Sequence, residues 1–247
     1  AGALGIRVII DMVLNHTSDR HRWFQEALKD PKSRYRDYYI FKESKERPSN
    51  ARSCFSGSVW EKVEENVWYY HTFDKTQPDL NWECRELRRE VYKIMNYWLD
   101  KGVSGFRMDA ITYIKKGNSM KNAEPQGEDG LHDVADIGLN QPGIGDFLLE
   151  MRKECIDGRD AMTVAEAPGV PYDEIGEFIG ENGYFSMIFD FSYADIDLAP
   201  GGNWYYQADW KFSQLKKLIF HSQLSVQRQG WGAVYLENHD QSRSLNK

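Results

Sequence analysis

The sequence predicts an α/β fold on a parallel sheet, with a (β/α)₈ barrel favoured over a doubly wound open sheet. Three observations carry this. Short apolar strands, each running into a charged residue, alternate with helical segments, the pattern of buried parallel strands. No repeat or low-complexity tract interrupts the alternation. Carboxylates end several successive strands, where a barrel assembles its site; an open sheet gathers its site at one switch point.

The elements follow in order. Ile6–Ile10 reads as a strand ending at Asp11, and Val103–Met108 as one ending at Asp109. The gap between them is too long for one βα unit of roughly 30 residues. An insertion near Thr17–Pro78 fills it. It holds a short amphipathic helix (Trp23, Phe24, Ala27, Leu28), the aromatic runs YRDYYIF and VWYYHTF read as strands, and the polar loop KESKERPSNARS. The expected organisation is a barrel portion over 1–16 and 79–247, with a β-rich insertion over 17–78. In Cys84–Lys101 the residues Leu87, Val91, Ile94, Met95, Trp98 and Leu99 recur at helical spacing. Asn81 is expected as its N-cap and Gly102 as its C′ residue. The Gly-, Asn- and Asp-rich stretch 113–143 is expected to be a lid or rim loop. A helix over Asp146–Cys155 begins after Gly145. Strands follow at Ala161–Ala165, ending at Glu166, and at Ser186–Phe189, ending at Asp190. A helix over Phe212–Val226 leads to a strand at Trp231–Leu236, which runs into ENHDQ. Five strands are visible, whereas a closed barrel has eight. Ile9, Phe106, Val164 and Val234 are expected on the inner face.

Composition narrows the function. The 247 residues carry 31 Lys+Arg against 38 Asp+Glu, a formal charge of −7. That balance argues against nucleic acid and anionic membranes as partners. No stretch approaches the roughly 20 apolar residues of a membrane span. The start lacks a Met and the pattern of a signal peptide, and the chain reads as an internal piece of something longer. Cys54, Cys84 and Cys155 are few and widely spaced, which suits a reducing cytoplasm. Eight Trp and 14 Tyr suit sugar stacking as well as ordinary cores.

The chemistry lies in three carboxylates at three strand ends: Asp109, Glu166 and Asp240. Any one alone reads as a solvated strand-end residue. Together with Arg107 they do not. Two residues apart on one strand, Arg107 and Asp109 share the inner face. An adjacent cation favours the charged carboxylate that a nucleophile needs. Val164, Ala165, Ala167 and Pro168 give Glu166 an apolar wall, which favours the protonated form that a general acid needs. One ionised and one protonated carboxyl is the requirement of glycoside hydrolysis. His16 and His239 stand in adjoining loops, placed to hydrogen-bond hydroxyls.

Five motifs, DMVLNH (11–16), QPDLN (77–81), GFRMDAI (105–111), TVAEAPG (163–169) and ENHDQSR (237–243), occur in an order that resembles the α-amylase family of glycoside hydrolases. The resemblance covers the whole chain and is strongest to the oligo-1,6-glucosidase and α-glucosidase branch. It implies a partial TIM barrel, about strands 3 to 7, with domain B inserted after strand 3. It implies Asp109 as nucleophile, Glu166 as acid and then base, and Asp240 as the carboxylate that holds sugar hydroxyls. His16, Arg107 and His239 would bind glucose, and Asp11 would orient Arg107. Phe55 and Phe73 match pocket-lining positions, with packing inside the insertion as the other reading. Arg243 would brace its loop. Ser242 stands where the branch has Pro, and Ala167 where Met is common. At position 110 the branch pairs Val with α-1,6 cleavage and Ala or Thr with tolerance of α-1,4 links, so Ala110 leaves the linkage open.

The expected activity is retaining, exo-acting hydrolysis of short α-glucosides, with an oligosaccharide as partner and no required cofactor. Calcium is not indicated, although Asn15 matches a calcium-ligand position of amylases. Other readings stay open. A glucosyl-transferring or isomerising relative, such as a sucrose isomerase or trehalose-6-phosphate hydrolase, fits the same motifs; its phosphate would want rim cations, for which Lys115, Lys116 and Lys121 are candidates. A non-catalytic, transporter-associated ectodomain shares the fold. An enolase-type Mg²⁺ site on Asp11, Asp109 and Glu166 is opposed by Arg107.

Overall fold

In the computed structural model, which describes residues 1–198, 207–241 and 243–246, β1 (Ile10–Val13) leads into α1 (Arg22–Lys29). His21 caps α1, its Nδ1 accepting from Trp23 N–H at 3.2 Å, and Phe24 and Ala27 are its buried face. Then come β2 (Phe41–Glu43), β3 (Ala51–Arg52), β4 (Trp60–Glu64) and β5 (Val67–Tyr70). Next, α2 (Arg85–Asp100) buries Leu87, Val91, Met95 and Leu99. β6 (Gly105–Asp109), β7 (His132–Asp133), α3 (Val134–Gly138) and α4 (Ile144–Cys155) follow. The chain continues through β8 (Met162–Glu166), α5 (Ile175–Ile179), β9 (Met187–Phe189), α6 (Phe212–Gln227) and β10 (Trp231–Ala233). None of the described helices is long and apolar enough to cross a membrane. The three cysteines are free thiols.

Five strands make one all-parallel sheet in the order β1-β6-β8-β9-β10, an arc of a (β/α)₈ barrel. Gly105 sits where β6 meets β8. Its φ is +148°, and a Cβ there would lie 1.8 Å from the Met162 carbonyl oxygen, so only glycine permits the pairing. The first strand pairs from Ile10 rather than Ile6, although Ser104 N–H donates to the Val8 carbonyl at 2.7 Å and extends the contact backward.

The helical side of this sheet is the main core: Met12, Phe106, Met108, Ala165 and Ile188 pack with Leu87, Met95, Leu148 and Phe178. This corrects the reading of Phe106 as an inner residue. It alternates with Arg107, so when Arg107 faces the site Phe106 must face the helices. Val164 is buried on the other side of that alternation, whereas Ile9 and Val234, on the outermost strands, are 39% and 62% exposed.

Several boundaries differ from expectation for local reasons. Asn81 does not cap α2. Its carbonyl accepts from Cys84 N–H at 2.9 Å and its side chain from Glu83 N–H at 3.2 Å, which makes a turn before the helix, and Cys84 holds the N-cap position. Gly102, with φ +93°, ends the helix as expected. α4 starts at Ile144, because Gly143 at φ +84° turns the chain two residues earlier than Gly145, and Ile144 is buried. Of YRDYYIF only Phe41 joins a strand. Tyr35, Tyr38 and Tyr39 are buried at i, i+3, i+4, the spacing of a helical turn, and Arg36–Tyr38 forms one.

The segment expected to be an insertion carries an antiparallel sheet ordered β2-β5-β4. Its β3 pairs in parallel with β7, so the 113–143 stretch is stitched to the insertion rather than free. Asn50 fixes the join. Its Nδ2 donates to the Ala123 carbonyl (2.8 Å) and the Gly130 carbonyl (3.1 Å), and its Oδ1 accepts from Ala123 N–H (2.8 Å). A second core joins Ala51, Val59, Trp60 and Tyr70 of the insertion to Ala110, Tyr113 and Val134.

Candidate active site

Three carboxylates from β1, β6 and β8 meet one guanidinium: Asp109 and Glu166 end their strands as expected, whereas Asp11 lies inside β1, which runs on to Val13. Arg107 Nη1 donates to Asp11 Oδ1 (2.9 Å) and Oδ2 (3.0 Å) and to Asp109 Oδ1, and Nη2 lies 2.6 Å from Glu166 Oε2. The register explains the meeting: Asp11 lies opposite Arg107 in the β1–β6 pairing, and Val164 lies opposite it in β6–β8, two residues before Glu166. Burial opposes charge on Arg107, but the carboxylates outweigh it and hold the guanidinium firmly protonated. These acids therefore surround a fixed cation, a donor set that does not fit an enolase-type Mg²⁺.

Glu166 is 12% exposed. Burial pushes its pKa up to about 7. The Ala110 N–H and the Arg107 charge pull it back, and neighbouring Asp109 pushes it higher. The Ala110 N–H reaches Glu166 Oε2 at 3.0 Å because Ala110 is left-handed, φ 43° and ψ 37°. That turn directly after Asp109 aims the amide at the acid across the cavity. Sequence reading missed it, since a backbone donor leaves no mark in side-chain identity.

A cavity of about 640 Å³ opens above these strand ends. Asp109 and Glu166 line it together with His16, Phe55, Phe73, His239 and Asp240, so the structure gathers the expected residues around one space. Arg107 and Asp11, expected to contact the sugar and to orient that contact, are not among the residues that line it. Burial lowers the pKa of His16. Gln77 Nε2 donates to His16 Nε2 at 3.0 Å, its orientation set by its Oε1 accepting Asp74 N–H at 3.1 Å. The Asn15 Nδ2 amide lies 3.4 Å from His16 Nδ1, so side-chain amides flank both ring nitrogens. Phe73 packs edge-on to His16 at 5.5 Å and to Tyr113 at 5.4 Å, and lies 5.8 Å from Phe55. Phe55 is 52% exposed at the rim.

After β10, His239 Nε2 lies 3.2 Å from Asp240 Oδ2, and Asn238 Oδ1 accepts from the N–H groups of Asp240 (2.9 Å) and Gln241 (3.0 Å). Arg243 Nη1 pairs with Glu237 Oε1 at 2.8 Å and braces the loop. Ser242 lies outside the described residues. Ala167 is buried beside the main core.

Asn15 is fully buried, and its Oδ1 accepts from Lys116 Nζ at 2.6 Å. The same ammonium donates to Asp79 Oδ2 (2.5 Å) and the Tyr113 carbonyl (2.7 Å). The oxygens around Asn15 are thus taken by a built-in cation, and this donor set does not fit calcium. Lys116 is not a rim cation, and neither is Lys115, which pairs with Glu83 at 2.8 Å and covers the Phe147 ring. Lys121 is exposed and does not line the cavity.

Comparison with known proteins places the chain in one family. The family described as "Alpha amylase, catalytic domain" matches residues 1–247. An oligo-1,6-glucosidase of Parageobacillus thermoglucosidasius is 43% identical over 98% of this chain and 44% of its own length. A trehalose-6-phosphate hydrolase of Bacillus subtilis (strain 168) is 38% identical over 98% of this chain and 43% of its own. Among solved structures, an isomaltulose synthase from Erwinia rhapontici superposes with TM-score 0.90 at 33% identity, over 99% of this chain and 44% of that one. The chain spans less than half the length of these relatives.

Proposed function

This chain belongs to the alpha-amylase catalytic-domain family of glycoside hydrolases, and from that premise we propose that it carries the centre of a retaining, exo-acting α-glucosidase for short isomalto- or malto-oligosaccharides. The observation that carries the reading is Arg107 touching both Asp109 and Glu166, while burial keeps Glu166 protonated to about pH 7.

Asp109 attacks the anomeric carbon and forms a glucosyl ester. Glu166 delivers its proton to the glycosidic oxygen as the bond to the aglycone breaks. Glu166, now a carboxylate, takes a proton from water, which attacks the same carbon and releases Asp109. Two displacements return the α configuration. Contact of both carboxyls with one guanidinium supports the close, retaining spacing over a gap that would hold a water. Asp240, His16 and His239 hold the glucose hydroxyls, and Phe73 and Phe55 supply apolar wall. Residues 17–78 act as an inserted domain that closes one side, with the barrel portion over 1–16 and 79–247.

Proton NMR of the sugar first released from an α-glucoside by the complete enzyme tests this. α-Glucose is expected; β-glucose removes Asp109 as nucleophile.

A further inference from the structure

The activity proposed above leaves open what lies on the far side of the scissile bond, and two of the family's relatives differ there: one is named for isomaltose-type links and the other for a phosphorylated disaccharide. We infer that the aglycone site of this chain takes an uncharged sugar and turns away one bearing a phosphate; the inference rests on the α-glucosidase reading.

The charges that face the cavity are mostly acidic. Among the described residues, five carboxyl groups line it, those of Asp109, Asp133, Asp195 and Asp240 and that of Glu166, which holds its proton to about pH 7. The one Lys or Arg side chain among the lining residues is Arg52, on β3 at the mouth. Its charge is already spent. Nη1 pairs with Asp133 Oδ1 at 2.7 Å, and Nη2 pairs with Asp129 Oδ1 at 2.8 Å while Nε donates to Asp129 Oδ2 at 3.2 Å. With 17% of its side chain exposed, Arg52 keeps no open fork for a phosphate. The two imidazoles on the wall do not replace it. His239 faces Asp240, and burial favours neutral His16.

The cations that the sequence offered as a phosphate pocket lie elsewhere. Lys116 is sealed in its oxygen cage and Lys115 is paired with Glu83 outside the cavity. A sugar phosphate brings about −1.5 to −2 charges at pH 7. It would meet acidic side chains and cations already paired, with no free donor fork, and losing its hydration there has no compensation. A neutral glucose, fructose or aryl aglycone meets no such penalty, and the Phe55–Phe73 pair offers it an apolar surface.

The test compares kcat/KM on matched pairs with the complete enzyme: trehalose against trehalose 6-phosphate, and maltose against maltose phosphorylated on its reducing-end glucose. Hydrolysis of 4-nitrophenyl α-glucoside is the control. The expected result is at least a tenfold preference for the neutral member of any pair that is cleaved. Equal or better cleavage of the phosphorylated member, with the control active, overturns the inference and leaves the α-glucosidase reading standing. An inactive control, with no pair cleaved, overturns both. The double variant Asp129→Asn, Asp133→Asn releases Arg52. In a variant that still cleaves the aryl glucoside, the phosphorylated-to-neutral ratio should rise at least fivefold, and adding Arg52→Gln should reverse the rise. An unmoved ratio shows that the pairing of Arg52 is not what excludes phosphate.

Discussion

Glu166 holds its proton above the ordinary carboxylate range because burial penalises its charge more than Arg107 and the Ala110 amide favour it. A general acid must be protonated, so kcat/KM should fall as pH rises through about 7, the alkaline limb reporting the free enzyme. Folding follows the same sign: the raised pKa favours the folded state at low pH, and that contribution is lost as pH rises from the usual carboxylate range through about 7. Glu166→Gln should remove the limb and slow an alkyl glucoside far more than an aryl one, whose leaving group needs little protonation; a limb that persists in the variant belongs to another group. Beside it, Ala110 is left-handed at φ 43° and lines the cavity. Ala110→Val adds two methyl groups next to the scissile bond. It should shift kcat/KM toward isomaltose over maltose by about tenfold, since a methylene-scale change in a pocket is worth about 1–3 kcal/mol. A β-branched residue at this φ also carries a strain of about 1–2 kcal/mol, so the melting temperature should drop. A ratio that barely moves excludes Ala110 as the determinant of linkage.

At the scale of elements, what was legible followed from local chemistry. An apolar run ending in a charge placed Asp109 and Glu166 at the ends of β6 and β8, where they stand, but misplaced the end of β1, which continues through Asp11 to Val13. The α2 stripe was legible in part: Leu87, Val91, Met95 and Leu99 bury at the helical period, whereas Ile94 and Trp98, read as members of it, are exposed. What stayed hidden depended on remote partners. Lys116 reads as a loop lysine until Asn15 and Asp79 arrive from other segments, and Arg52 reads as a surface cation until Asp129 and Asp133 close on it. The 113–143 stretch looked free because nothing in its composition announces a strand partner, yet β7 lies on β3. Asn50 is the centre of that join. Asn50→Ala deletes three side-chain hydrogen bonds and strands two carbonyls and an amide, each lost bond in such a setting costing about 1–3 kcal/mol. Amide exchange over 121–133 should accelerate while that of β6 and β8 stays slow. Uniform acceleration would mean that the join is part of the global unfolding unit.

For the whole molecule, the decisive fact is that, among the described residues, the parallel sheet has two open edges, β1 and β10. A barrel removes its edges by closing, and parallel strands are normally covered on both faces. Here Ile6, Val8, Ile9 and Val13 are 57%, 41%, 39% and 42% exposed on the β1 side. On the β10 side Trp231, Val234 and Leu236 are 75%, 62% and 48% exposed, and Phe212, Phe220 and Leu224 of α6 also face solvent. Asp240 and His239 stand on the loop after the edge strand, with more than half of each side chain exposed, whereas Asp109 and Glu166 are sheltered by strands on both sides. The half of the proposed site that positions the glucose is thus the half with least support. Unpaired parallel edges flanked by apolar side chains template association between copies, and exposed apolar surface of this extent favours aggregates over a unique fold. The 247-residue chain expressed by itself should therefore collect in the insoluble fraction or refold to a state that binds a hydrophobic dye and melts without a sharp transition. It should show no turnover of an aryl α-glucoside, even with Asp109, Glu166 and Asp240 all present. Grafting a charge onto each edge, Val8→Lys and Val234→Lys, should raise solubility without restoring turnover, because solubility answers to the edges and activity to the missing support around Asp240. A cooperative melt with aryl α-glucosidase activity from the chain alone would mean that five strands suffice to hold this site.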